Sequence, residues 1–158
     1  MAETNKLWIS EDLAEKIRRH GAETYPHECC GALLGRDASS DDVTRPREIL
    51  RLFPLINRRE DSLHNRFSVT PQDVLAAEKA AVADGWDVIG WYHSHPDHPA
   101  KPSEYDREHA WPWYSYVIVS VQEGVPRNMT SWRLKEDRTQ YSEEIIEIRS
   151  QAAVKSGP

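Results

Sequence analysis

The stretch Trp91-Tyr92-His93-Ser94-His95-Pro96-Asp97-His98-Pro99-Ala100-Lys101-Pro102-Ser103-Glu104-Tyr105-Asp106 decides how the rest of this chain is read. It opens at the end of a strand-like apolar run, Trp86 to Tyr92. Residues two apart on a strand share a face, so His93 and His95 turn their imidazoles the same way and can grip one metal ion. Alternating histidines also occur as plain exposed polar faces, and both readings stand on residue chemistry alone. After the prolines, Ser103-Glu104-Tyr105-Asp106 forms a capping box for a helix starting there. Such a helix puts Asp106 in its first turn, where its carboxylate can face the strand end. Catalytic zinc takes three ligands from His, Asp, Glu or Cys and keeps one position for water, so Asp106 can be the third ligand.

Upstream, Ser10 can cap a helix near 11–24, with Leu13 and Ile17 on one face. The run Cys29 to Gly35 suits a buried strand with Glu28 at its entrance, and Glu48 to Leu55 reads as a second strand. Thr70-Pro71-Gln72-Asp73 combines an N-cap, a proline at the first helical position and a capping-box acid. It predicts a helix to about Ala83, with Gly85 just beyond its end and an apolar stripe of Val74, Leu75, Glu78 and Val82. Tyr114 to Val121 and Ser131 to Leu134 read as strands, and Glu144 to Ile148 as a strand or a short helix. Residues 36–46 read as a loop, and Asn57 to Asn65 as a charged, exposed stretch.

Composition narrows the classes. The chain has 158 residues and a formal charge of −6, with 26 acidic against 20 basic side chains. Its two cysteines, Cys29 and Cys30, are adjacent, which excludes a spaced zinc ribbon and a disulfide framework. No segment approaches the ~20 apolar residues of a membrane span, and the polar N-terminus lacks a secretory apolar region. A cytoplasmic protein with no membrane partner is expected. The densest basic stretch, from Arg45 to Arg59, is interrupted by Glu48, so no nucleic-acid partner is expected either.

The central motif carries a resemblance. His93-Ser94-His95-Pro96, six residues, Ser103, two residues and Asp106 resembles the JAMM, or MPN+, metalloprotease signature at its full spacing. Glu28, within Pro26-His27-Glu28-Cys29-Cys30-Gly31, falls at that family's position for an upstream glutamate. The resemblance spans roughly Leu7 to Leu134 and is to the compact, stand-alone prokaryotic type. It implies a single α/β domain over 1–150, with a mixed central β-sheet flanked by helices, cytidine-deaminase-like, and a flexible tail at 151–158. It also implies that His93, His95 and Asp106 bind one zinc ion, Glu28 takes a proton from the zinc-bound water, and Ser103 hydrogen-bonds the oxyanion. The implied activity is that of a peptidase or isopeptidase, and the implied substrate a ubiquitin-like or sulfur-carrier protein, cut after its C-terminal Gly-Gly. A homodimer is compatible with the sequence, and the alternative function is a non-catalytic scaffold of the same fold. Nucleobase deamination requires a Pro-Cys-x-x-Cys ligand pair that the sequence lacks.

Other residues receive plainer readings. Asp97 and His98 read as exposed loop residues, Cys29 and Cys30 as strand packing, and His20, His64 and His109 as surface histidines. Trp111, Trp113, Tyr114 and Tyr116 read as core packing under the metal loop, with a substrate-facing role as the lesser reading. His27 receives no role. Asn57 to Phe67, where larger relatives carry a partner-binding insertion, is the candidate for carrier contact.

Overall fold

Ser10 ends the first strand and starts the first helix in one step, because its hydroxyl oxygen accepts the Leu13 N–H at 3.1 Å. In the computed structural model, which describes residues 5–37, 46–56 and 69–150, β1 (Lys6–Ser10) runs directly into α1 (Glu11–Thr24). There follow β2 (Cys30–Arg36), β3 (Arg47–Leu55), α2 (Pro71–Ala83), β4 (Asp87–Pro96), α3 (Glu104–His109), β5 (Ser115–Gln122), β6 (Val125–Leu134) and β7 (Tyr141–Arg149). Both long helices match their expected bounds. At α2, the Thr70 hydroxyl accepts the Asp73 N–H at 3.1 Å, and the Asp73 carboxylate accepts the Thr70 N–H at 3.0 Å. Gly85 leaves the helix at φ +76°, a conformation that side chains resist.

The face that α2 buries differs from the expected stripe. Asp73, Ala77 and Ala81 turn inward, whereas Leu75 and Val82 are 53% and 74% exposed. Small alanines let the helix axis lie close to the sheet, and weighting large apolar side chains selects the wrong face. Asp73 stays inward because its carboxylate must reach back to the Thr70 N–H.

The mixed α/β content is as expected, but the sheet is not an open layer between helices. Its order is β1-β3-β2-β4-β5-β6-β7, closed into a barrel by parallel pairing of β7 with β1. The closing strand, Lys6–Ser10, has only five residues, too few for a periodic signal, yet each of them pairs with β7. The segment left between strand and helix, Glu144 to Ile148, lies within strand β7. Strand β6 begins at Val125, well before the expected Ser131.

Two apolar clusters cover the two faces of the sheet. Leu7, Ile9, Ile17, Leu33, Ile89 and Val117 pack with α1, while Ala32, Leu34, Ala77, Ala81, Val88 and Trp91 pack with α2. A register shift sets which face the motif joins. Leu33 pairs with Gly90 but Leu34 with Val88, so Ile89 is an extra residue in β4. Because of it, Val88 and Trp91 enter the same cluster, and alternation then carries His93 and His95 onto that side.

Buried charge ties the barrel together. Glu144, 1% exposed, accepts the Ser115 and Ser131 hydroxyls at 2.8 Å each and the Arg133 Nε–H at 2.8 Å. Arg47, also buried, donates to Ser115 Oγ and to the Ile89 and Trp113 carbonyls. Among the described residues, no helix is long and apolar enough to cross a membrane.

Candidate metal centre

Strands β2 and β4 build the centre between them. Their antiparallel register pairs Cys30 with His93, and the Ser94 N–H donates to the Cys29 carbonyl at 3.2 Å. Continued by one more residue, that register sets Glu28 level with His95. Glu28, His93 and His95 are all buried. On the opposite face, the Ser94 hydroxyl oxygen accepts the Cys29 N–H at 2.8 Å and pins the segment carrying Glu28 to the strand carrying the histidines.

Helix α3 closes the third side. Its capping box is formed as expected: Ser103 Oγ accepts the Asp106 N–H at 3.0 Å, and Asp106 Oδ2 accepts the Ser103 N–H at 2.9 Å. The same Oδ2 lies 3.1 Å from His95 Nε2 and 3.4 Å from His93 Nε2, and the two Nε2 atoms are 3.1 Å apart. Capping and donor roles therefore coincide in one carboxylate oxygen.

These atoms fit a metal ion. His95 Nδ1–H donates to the Pro99 carbonyl at 2.9 Å, so the neutral ring turns the lone pair of Nε2 into the centre. There it meets a second imidazole nitrogen and a carboxylate, an arrangement that repels itself until a cation or a proton enters. Burial lowers the pKa of His93, with Asp106 only partly opposing, which disfavours the proton. A tetrahedral ion with arms of roughly 2.0–2.1 Å has edges of about 3.3 Å, close to the three separations found. Among the described residues, His93, His95 and Asp106 are the group of metal-binding types that converges within 4.8 Å.

The two carboxyls of the centre are driven apart electrostatically. Burial pushes Asp106 up, but the two histidines outweigh it and hold the carboxyl well below its usual range. Burial pushes Glu28 up to about 9, and the Asp106 charge adds to the rise. Without a cation, one group is held as an anion and the other as a neutral acid; a cation at the three donors would draw Glu28 toward the carboxylate form, the form that can accept a proton.

The remaining candidates fall as follows. Asp97 and His98 are exposed, as expected, and Asp97 holds the loop by accepting from the Tyr25 hydroxyl at 2.6 Å and the Glu123 N–H at 2.8 Å. Cys29 and Cys30 are buried, and burial pushes the Cys29 thiol up to about 12, far from a nucleophile's range. His20 is no simple surface residue: its Nδ1 lies 2.8 Å from the Tyr92 hydroxyl. His109 stacks on Tyr105 with centroids 4.0 Å apart. His64 and Asn57 to Phe67 lie outside the described residues. The aromatic segment splits: Tyr116 is buried in the core cluster with Tyr114 packed against it, as expected, whereas Trp111 and Trp113 are 64% and 45% exposed, and Trp111, Tyr114 and Tyr116 also line a cavity beside His93. Sequence reasoning missed Ser94, the Pro99 carbonyl and Arg138 of that cavity. Only Ser94 carried a signal, as the polar residue between two inward histidines.

Comparison with known proteins follows the same lines. A family model described as prokaryotic homologues of the JAB domain matches residues 10–135. The chain is 30% identical over 123 residues to the desampylase of Haloferax volcanii, covering 74% of this chain and 82% of that protein. It is 33% identical over 115 residues to a probable TtuB-protein conjugate cleaving protease of Thermus thermophilus, covering 73% and 70%. A third relative, the tail tip assembly protein K of Escherichia phage N15, is 33% identical over 114 residues, but the match spans 39% of its length. Among solved structures, protein DSY2949 of Desulfitobacterium hafniense superimposes with a TM-score of 0.78 at 31% identity, covering 92% of this chain and 94% of that one.

Proposed function

This chain belongs to the family of prokaryotic homologues of the JAB domain, the stand-alone JAMM type, and from that membership we propose that it is a zinc-dependent peptidase or isopeptidase. Its substrate in this reading is a ubiquitin-like or sulfur-carrier protein, cut at the amide bond after a C-terminal Gly-Gly. The names of the Haloferax and Thermus relatives support that class of substrate. The observation that carries the reading is the convergence of His93 Nε2, His95 Nε2 and Asp106 Oδ2, with the buried Glu28 on the neighbouring strand segment.

In this reading His93, His95 and Asp106 hold one zinc ion. When bound, such an ion supplies Lewis acidity and brings the pKa of a water toward ~7. Glu28 takes a proton from the attacking water and passes it to the departing amine. The Pro99 carbonyl keeps His95 in the tautomer that leaves Nε2 unprotonated. Ser103 suits an oxyanion donor, because its Oγ accepts the Asp106 N–H and leaves its own O–H to donate elsewhere. One donor of this kind is worth about 3 kcal/mol in other hydrolases. The reading takes residues 1–150 as one peptidase domain with 151–158 as its tail, working in the cytoplasm on a cytidine-deaminase-like scaffold.

The test is mass spectrometry of a carrier protein extended beyond Gly-Gly, incubated with the zinc-loaded chain. The expected product ends at the second glycine, and Glu28→Gln forms it at least ~100-fold more slowly. An unchanged carrier mass with fully zinc-loaded chain would instead favour the scaffold alternative.

A further inference from the structure

Beside the three donors lies a cavity of about 640 Å³, which the hydrolytic step alone leaves unexplained. It falls within the range of pockets that bury small molecules. Its lining includes His93 and Asp106, the aromatic rings of Trp91, Tyr114 and Trp111, and the basic Arg138. A diglycine has no side chains and needs a slot little wider than extended backbone. A wide aromatic pocket suits a segment that carries a side chain, which places it on the other side of the scissile bond.

The charges of the pocket say what that segment ends in. Asp106 is committed to His93, His95 and the Ser103 N–H, and Glu108 is exposed on α3. Arg138 is half-buried, with its guanidinium carbon 5.2 Å from the centre of the Trp111 ring. Its backbone sits at φ +64°, held by its N–H to the Lys135 carbonyl at 2.8 Å and by Arg107 Nη1 donating to its own carbonyl at 3.0 Å. Arg107 pairs with Glu104, whereas no carboxylate among the described residues pairs with Arg138. A planar guanidinium fixed against an aromatic ring is a ready partner for an arriving carboxylate.

We propose that this cavity receives the piece released on the amine side of the bond, and that Arg138 pairs with that piece's terminal α-carboxylate. Hydrolysis breaks the C–N bond after the diglycine. The oxygen of water bonds to the glycyl carbonyl carbon, and a proton of the same water goes to the departing nitrogen, with no change of oxidation state. What leaves is an amino acid or dipeptide with an apolar or aromatic side chain. A lysine isopeptide bond to a second protein presents no free α-carboxylate at this distance, so its cleavage gains nothing from Arg138. The inference rests on the reading of the chain as a diglycine hydrolase.

Two measurements on the full chain test it. Quenching of tryptophan fluorescence, with and without zinc, compares L-phenylalanine with L-phenylalaninamide. The wild type should bind the carboxylate at least ~10-fold more tightly, Arg138→Gln should erase that ratio without weakening the amide, and Arg138→Lys should restore part of it. Lys135→Gln, on the exposed neighbouring turn, should behave as wild type. Equal affinity of the wild type for both probes, or equal weakening of both by Arg138→Gln, overturns the inference. The second measurement follows zinc-loaded cleavage of a synthetic peptide ending in Gly-Gly-Phe, its C-terminal amide, and a Gly-Gly isopeptide on the side chain of Nα-acetyl-lysinamide. Faster release from the free carboxylate supports the inference. Equal cleavage of all three overturns it and leaves the hydrolase reading standing, whereas carboxylate-selective binding with no cleavage of any substrate overturns the hydrolase reading and the inference together.

Discussion

Replacing Ser94 by alanine should damage stability and catalysis together while leaving the metal in place. Ser94 is fully buried between the two histidines, and its hydroxyl oxygen is the acceptor for the Cys29 N–H at 2.8 Å. Alanine leaves that N–H buried beside apolar neighbours, at a cost of about 1–3 kcal/mol. In a chain of this size about 2 kcal/mol corresponds to a fall in Tm of roughly 4–8 °C. Glu28 is the residue next to Cys29, so slack in that bond reaches the carboxyl directly. A misplacement near 1 Å at a reacting group costs on the order of 100-fold in rate. His93 and His95 stand on the other face of β4 and Asp106 on α3, so the proposed zinc site should keep its geometry and zinc content its wild-type level. Urea melts, metal analysis and turnover of an extended carrier measure the three quantities on one preparation. Wild-type stability within about 0.5 kcal/mol and wild-type turnover would refute the claim that Ser94 positions Glu28.

Other outcomes follow from the same structure. Glu144→Leu strips partners from two buried hydroxyls and Arg133, and should lose about 3–5 kcal/mol in urea melts. Chelation should lower the Tm by roughly 5–10 °C relative to chain held at 100 times its zinc Kd, since that excess contributes about 2.7 kcal/mol; an unchanged melt would count against a bound ion. In the metal-free chain, Glu28 titrates near 9 folded against 4.5 as its ordinary value. The folded state therefore holds the proton more tightly, and its contribution is complete below about 4.5 and disappears as pH rises toward about 9. Metal-free wild type should lose at least about 2 kcal/mol relative to Glu28→Gln between pH 5 and pH 9; parallel stability curves would contradict the raised pKa.

The site was more legible in the sequence than the fold that carries it. Ser103 and Asp106 announced their helix by spacing alone, and the same spacing put Asp106 Oδ2 beside both histidines, because the capping box aims that oxygen back across the helix start. Period-two alternation gave His93 and His95 a common face. Which of the two faces they share depends on the extra residue Ile89, and no local pattern in β4 announces that bulge. Barrel closure was illegible for a related reason: Lys6–Ser10 becomes a strand because Ile145 to Arg149 on one side and Arg47 and Glu48 on the other lie alongside it. The inward face of α2 was misread because alanines pack by closeness rather than by hydrophobicity. Arg138 lies far from the motif in sequence and meets it only through the turn before β7.

The most direct test of the account is the rate of carrier cleavage by Glu28→Gln and wild type, with zinc content determined on the same samples. One zinc per chain in both, with cleavage after Gly-Gly by wild type and a loss of at least ~100-fold in the variant, is the predicted result. Equal cleavage by the two at equal zinc content would contradict it.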